Sequence, residues 1–354
     1  MPRLLTIDGQ DIRDDGECYV IAEVGHNHQG SVRKCRELFR VAKECGADAV
    51  KLQKRDNRSL YTRAMFDKPY DNENSFGATY GEHREALEFG RDEYRELQQY
   101  SRELGIGFFA TAFDIPSADF LADLDMPAYK IASGDLSTLP LLTHVARLGK
   151  PMIVSTGGAT MAEIERAYDV ITPINSQVAF LQCTAAYPAS ADELNLRVIT
   201  TLRERFPDNV IGLSDHENGI AMAVAAYVLG ARIVEKHFTL NHTDKGTDHA
   251  FSLEPIGMRK LVRDLRRTRA ALGDGIKRPL PSERQPLRKM GKKLVASRKL
   301  CVGQVLGPGD VAMKSPGDGL SPSHLPEVIG RTLLAPLEPD DDIRFELLGQ
   351  GEAE

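Results

Sequence analysis

Residues 19–53 read YVIAEVGHNHQGSVRKCRELFRVAKECGADAVKLQ. A short apolar run, Tyr19–Val24, is followed by a helix-length segment with apolar positions three to four apart. Glycine stops that segment, and a second apolar run, Asp48–Gln53, follows. This is one strand–helix–strand unit. The same rhythm returns at Ile106–Thr111, Ala128–Ser133, Pro151–Thr156, Val178–Gln182, Val210–Ser214 and Arg232–His237, with helical patterns such as DEYRELQQYSRELGI (92–106) between them. Eight such repeats over about 250 residues are the arithmetic of a closed (β/α)8 barrel. A doubly wound open sheet uses similar units and is the alternative. No GxGxxG follows the first strand, which counts against the dinucleotide-binding version of that sheet.

Two stretches break the rhythm. Residues 54–91, KRDNRSLYTRAMFDKPYDNENSFGATYGEHREALEFGR, separate the second strand from its helix. A loop of that length is functional or disordered. Its aromatics and mixed charges predict a folded excursion over the barrel mouth. The second stretch, GDGIKRPLPSERQPLRKMG (273–291), is rich in Pro, Gly and basic residues and reads as a linker. The expected organisation is a barrel domain at 1–275, a linker at 276–291 and a small, loop-rich domain at 292–354.

The chain has 354 residues, 42% of them hydrophobic, and a formal net charge of −6. That balance argues against a nucleic-acid surface, which needs a clustered basic face. Local lysines can still set the field in a cleft, so an anionic substrate is compatible with it. The first twenty residues hold no apolar h-region, and no window approaches the ~20 apolar residues of a membrane span. Five scattered cysteines (Cys18, Cys35, Cys45, Cys183, Cys301) favour reduced thiols in a cytoplasmic protein over a disulfide frame.

Barrel enzymes work at the C-terminal ends of their strands. Here those ends carry Glu23, Asn27 and His28; Lys51 and Gln53; Thr111; Lys130 and Ser133; Ser155 and Thr156; Thr184 and Tyr187; Ser214, Asp215 and His216; and Glu235, Lys236 and His237. Period-two alternation puts Lys51 and Gln53 on one face, and likewise Glu235 and His237, with Lys236 on the other side. Lys51 and Lys130 with Ser133, Ser155 and Ser214 form a candidate cradle for phosphate and carboxylate. A single lysine at a strand end reads equally well as a solvated rim charge; the joint placement points to function. His216 and His237 end neighbouring strands and can converge on one divalent cation, and two imidazoles suit Mn²⁺. A lone histidine would read as a hydrogen-bonded structural residue. His26 and His28 form a weaker H-x-H signal. Cys183 reads as a small packed residue rather than a ligand.

At these residues the chain resembles the sialic acid synthase family, through IAEVGHNHQG (21–30), AVKLQ (49–53), AYKIASGD (128–135), PMIVSTGG (151–158), LQCTAAYP (181–188), IGLSDH (211–216) and EKHF (235–238). The motifs keep the family's order. KSPGDGLSP (314–322) resembles the signature of the antifreeze-like (SAF) domain that these synthases carry. The resemblance implies condensation of phosphoenolpyruvate with the open-chain aldehyde of N-acetylmannosamine or a related sugar. The products would be a 2-keto-3-deoxy acid and phosphate, with a metal acting as Lewis acid on the aldehyde oxygen. It implies that Lys51, Lys130, Ser133, Ser155 and Ser214 hold phosphoenolpyruvate. His216 and His237 match the ligands of the metal, Mn²⁺ with Mg²⁺ or Co²⁺ as further candidates. Gln53, Tyr187 and Asp248 match acceptor contacts, and Glu23 matches a carboxylate that assists proton handling. It also implies a homodimer in which the SAF domain caps the partner's barrel. Two departures bear on the substrates: Ala185 stands where the family has Asn, and Ser315 where its SAF domain has Arg. The rival readings are a phosphoenolpyruvate-condensing barrel of the eight- or seven-carbon ulosonic acid type and a Schiff-base aldolase with Lys130 as nucleophile. A docking module on a degenerate barrel is the non-enzymatic alternative.

Overall fold

The computed structural model describes residues 3–349 and divides into two compact units between Gly273 and Asp274. The first is a barrel of eight parallel strands: Tyr19–Gly25, Ala49–Lys54, Gly107–Ala112, Tyr129–Ile131, Met152–Ser155, Val178–Cys183, Val210–Asp215 and Ile233–His237. The last strand pairs in parallel with the first, from Ile233 beside Tyr19 to His237 beside Glu23. That closure removes the open-sheet alternative. The strands lie where the sequence places them, except that the fourth stops at Ile131 and Ser133 falls on a 3-10 turn, Ser133–Asp135.

Local chemistry explains the units. The first helix, Val32–Cys45, starts at Ser31, whose side chain accepts from the backbone N–H of Lys34. It ends at Gly46, which takes the left-handed conformation (φ 91°) that side chains resist. Cys35, Leu38, Phe39 and Ala42 form its buried stripe, against the outward residues Val20, Ala22, Val50 and Leu52 of the strands.

Inward residues form a second core of Tyr19, Ile21, Ala49, Phe109, Ala128, Ile153, Ala179, Leu181, Val210 and Ile233. A hairpin, Leu4–Ile7 with Gln10–Arg13, adds Leu5, Ile7 and Ile12 to this core and plugs the N-terminal end of the barrel. Its two-residue turn, Asp8–Gly9, has positive φ at both positions, the type I′ geometry that suits a tight hairpin. Asp-Gly between short runs that carry Leu5, Ile7 and Ile12 is the signal for it, and the sequence reading passed over it.

The 54–91 excursion is folded, as expected. Short helices Asn57–Leu60, Arg63–Phe66 and Tyr80–Glu85 are each capped by a side chain, from Asp56, Thr62 and Thr79 respectively. Phe66 is buried against Gly81, where a side-chain carbon would meet its ring at 2.3 Å.

The second unit has its own small core, including Leu294, Leu300, Leu306, Val328, Leu333 and Ile343. An antiparallel strand pair, Lys293–Ala296 with Val311–Lys314, lies in it. Part of the stretch read as a linker is structured. Pro281 opens a 3-10 turn, where a missing N–H costs nothing, and a helix follows at Arg284–Met290. The Gly317 N–H donates to the carbonyl of Arg288 at 2.7 Å, so this helix docks on the small unit's own loop.

Gly212 faces the barrel interior with no room to spare: a Cβ there would lie 2.5 Å from the carbonyl oxygen of Ile233 and 2.5 Å from Leu181 Cδ2. Gly212→Ala should therefore destabilise the barrel by about 1–3 kcal/mol through overpacking. The measurement is the urea midpoint; an unchanged midpoint would show slack in this layer.

Candidate active site

Because strand residues alternate, every second side chain of the closed sheet is directed into the barrel. Above the apolar layer the inward positions turn polar. Glu23, Lys51, Thr111, Lys130, Ser155, Ser214 and Glu235 follow Ile21, Ala49, Phe109, Ala128, Ile153, Gly212 and Ile233 at two-residue steps. They floor a cavity of about 540 Å³ at the C-terminal ends of the strands. Gln53, Ser133, Tyr187, His216, His237 and Asp248 stand in its walls, so the residues matched to phosphoenolpyruvate, metal and acceptor line one cavity, whereas the strand-end residues Asn27, His28, Thr156, Thr184 and Asp215 do not. Lys236 faces the other way, as alternation predicts, and pairs with buried Asp215 at 3.0 Å.

The floor is a buried charge network. Lys51 Nζ lies 2.6 Å from Glu23 Oε2 and 3.8 Å from Glu235 Oε1, and donates to Thr111 Oγ1 at 2.7 Å. Lys130 Nζ lies 3.5 Å from Glu235 Oε1 and donates to Ser155 Oγ at 2.7 Å. Burial raises the Glu23 carboxyl above its ordinary range despite Lys51. Burial would raise Glu235 too, but Lys130 and Lys51 together hold it below the usual carboxylate range. Burial lowers Lys130, with Glu235 opposing. Gln53 Nε2 donates to Glu23 Oε1 at 2.7 Å and orients that carboxylate. Ser133 Oγ accepts from the Gly157 N–H at 2.9 Å.

The two histidines meet on one wall, with ring centroids 5.5 Å apart. His216 Nδ1 is 2.8 Å from the Thr184 carbonyl oxygen, which places a proton on Nδ1 and leaves the Nε2 lone pair available. His237 Nδ1 is buried without a hydrogen-bond partner, 3.7 Å from Asp248 Oδ2. Burial pushes His216 down to about 4 and lowers His237, so both rings are neutral at pH 7. Two neutral imidazoles fit a divalent cation of borderline softness that takes its other donors from water or substrate. Among the described residues, no group of three or more His, Cys, Asp and Glu side chains could hold a metal. Tyr187 packs on His216 at 4.2 Å and is 57% exposed at the mouth. Cys183 is buried, its Sγ 3.9 Å from His216 Nδ1. Ala185 lines the cavity as well.

The sequence reading gave no role to Glu235, although alternation already set it beside His237. It also missed Arg55, and left His26 as a weak signal; both line the cavity, as does Arg84 from the excursion.

The model of the NeuB family matches residues 38–277, and that of the SAF domain residues 293–348. The chain is 42% identical over 332 residues to the N-acetylneuraminate-9-phosphate synthase of Homo sapiens, covering 94% of this chain and 92% of that protein. It is 34% identical over 329 residues to the N,N'-diacetyllegionaminic acid synthase of Campylobacter jejuni, covering 92% and 98% respectively. Among solved structures, the N-acetylneuraminic acid (sialic acid) synthetase of Leptospira borgpetersenii is similar with a TM-score of 0.71. That match has 31% identity and covers 81% of this chain and 96% of that one. With a family match along most of the barrel and a relative this similar over nearly the whole chain, the protein belongs to the NeuB family and is an enzyme.

Proposed function

We propose that the chain condenses phosphoenolpyruvate with the open-chain aldehyde of N-acetylmannosamine or a related sugar. In balance, phosphoenolpyruvate, aldose and one water give a nonulosonic acid and inorganic phosphate. The observation that carries this reading is the pair of buried lysines, Lys51 and Lys130, flanked by Ser133, Ser155 and Ser214 on the floor of one cavity. Such a cradle matches a small molecule with phosphate and carboxylate on adjacent atoms. The family match and the synthases among the relatives support the acceptor class.

In this scheme the lysines and serines hold phosphoenolpyruvate with its C3 toward the acceptor. Gln53, Tyr187 and Asp248 orient the sugar from above. C3 attacks the aldehyde carbon, and positive charge develops at C2 beside the bound carboxylate and phosphate. Glu23, raised by burial and fixed by Lys51 and Gln53, takes a proton from the water that adds at C2, while the former aldehyde oxygen gains one and becomes the new hydroxyl; loss of phosphate, with the proton of the C2 hydroxyl, then yields the keto group. His216 and His237 would hold a divalent metal, Mn²⁺ foremost, which when bound supplies Lewis acidity at the aldehyde oxygen. The scheme includes a homodimer whose SAF domains cap the partner's cavity, supported by the match to that domain at residues 293–348.

A second reading has one observation in its favour: Lys130, lowered by burial, is suited to Schiff-base chemistry. Borohydride with a keto acid would trap it covalently; the synthase reading expects no adduct, and phosphate release from phosphoenolpyruvate only when an aldose is present.

His216→Ala and His237→Ala should each abolish turnover in a folded protein, and chelator should do the same to the parent enzyme. Full activity of either variant in EDTA would remove the metal from the scheme. Lys51→Ala and Lys130→Ala should each raise the KM for phosphoenolpyruvate about ten-fold or more, the equivalent of roughly 1.5–3 kcal/mol for a charge-assisted contact. Unchanged phosphoenolpyruvate saturation in both would place the cradle elsewhere. Mixing His237→Ala with a chain truncated after Lys277 should restore activity if sites are shared, since one intact barrel then receives one intact cap. A fully active monomer would refute the sharing.

A further inference from the structure

The last two strands carry the histidine pair, but the hydrogen-bonded ladder between them stops short of it. They pair from Ile233 beside Gly212 to Lys236 beside Asp215, and His216 lies beyond the last pair. The two histidines are therefore anchored differently. His237 stays in register with Glu23 of the first strand, and the Phe238 N–H donates to the Glu23 carbonyl at 2.8 Å. His216 sits at the start of a loop, where its carbonyl accepts from the Ala189 N–H at 3.1 Å.

One side chain joins that loop to the eighth strand. Lys236 Nζ lies 3.0 Å from Asp215 Oδ2 and also donates to the Glu217 carbonyl. Asp215 Oδ1 accepts from the Glu217 N–H at 3.0 Å. The residues on either side of His216 are thus both held by the chain neighbour of His237. Alternation makes this possible. Lys236 and Asp215 follow Val234 and Leu213 on the outward face, so His237 and His216, one residue on, face the cavity.

As a source of stability the pair is a poor choice. Both side chains are buried, and the cost of desolvating two charges offsets most of what their attraction returns. Other strands place Val24, Leu52, Ile131 and Val154 on the same outward face. An apolar pair could pack here too, but it has no donor or acceptor for the backbone of Glu217. What the two ions add is a fixed geometry for the loop that carries His216.

We propose that Lys236, acting through Asp215 and Glu217, is a positioning residue. It sets the spacing and orientation of His216 and His237, and with them the affinity of the pair for a divalent cation. Neither Lys236 nor Asp215 lines the cavity, so neither acts by touching substrate. This inference rests on the metal reading of the two histidines and deepens it by naming what holds them.

The test reads metal binding without turnover. Mn²⁺ is titrated into the full chain, and free Mn²⁺ is counted by its electron paramagnetic resonance signal. The double variant Lys236→Met, Asp215→Val replaces the ion pair with apolar side chains, a change that is often neutral or stabilising for the fold. Its urea midpoint is expected at or above that of the parent, yet its Mn²⁺ affinity should be at least ten-fold weaker. Phosphoenolpyruvate affinity, measured calorimetrically in EDTA, should stay within two-fold. At saturating Mn²⁺ the same variant should lose at least ten-fold in kcat with little change in the KM for phosphoenolpyruvate. A pair that serves stability alone would leave Mn²⁺ affinity at the parent value in the folded double variant, and that result would overturn the proposal. Should the double variant fail to fold, Asp215→Asn decides the question. Its single side-chain oxygen can accept from Lys236 or from the Glu217 N–H but not both, so Mn²⁺ binding should weaken at least three-fold. Unchanged binding would overturn the positioning role. Failure of the metal reading itself looks different: the parent chain and His216→Ala would then show the same Mn²⁺ binding, or none, and the positioning role would fall with it.

Discussion

Glu23, Lys51, Lys130 and Glu235 come from four different strands, and all are buried. A buried charge is tolerable only beside its opposite, and breaking such a pair typically costs about 3–5 kcal/mol. These four can neutralise one another only if the eighth strand closes on the first, because Glu235 reaches the two lysines across the barrel floor. Barrel closure and the ionic floor thus require each other. The apolar layer beneath, from Tyr19 to Ile233, supplies the stability on which the polar layer draws.

That dependence also explains what could be read in advance. Alternation with period two carries both the fold and the site, since it assigns each strand residue to the helices or to the interior. Lys51 with Gln53, and His237 on the face opposite Lys236, were legible for that reason. Glu235 sat on the same legible face without a role, because a carboxylate's function here depends on lysines from other strands. No local pattern announces those partners.

Other features lay beyond periodicity. The N-terminal hairpin is two strands of four residues, too short for alternation to stand out, and only Asp8–Gly9 marks its turn. The link between Arg84 and His26 joins the excursion to the first strand's loop, 58 residues apart in the chain. Side-chain caps and the packing of Phe66 on Gly81 hold the excursion in place, and neither repeats along the chain. In the stretch read as a linker, composition did not show the local structure: Pro and Gly mark helix starts and stops as readily as flexibility, and Pro281 does the former.

The hairpin at the base of the barrel has a consequence for traffic. With Leu5, Ile7 and Ile12 packed into the core beneath it, the cavity is floored at that end, and the half-exposed Tyr187 stands at its mouth. Molecules that occupy such a well stack in order of depth. In the proposed scheme, a ligand on Lys51 and Lys130, both at most 3% exposed, arrives before the sugar that settles above it on Gln53 and Asp248. It cannot depart until the upper occupant has moved. In the proposed scheme the order of arrival and departure thus follows from a plug at the opposite end of the barrel from the mouth it governs.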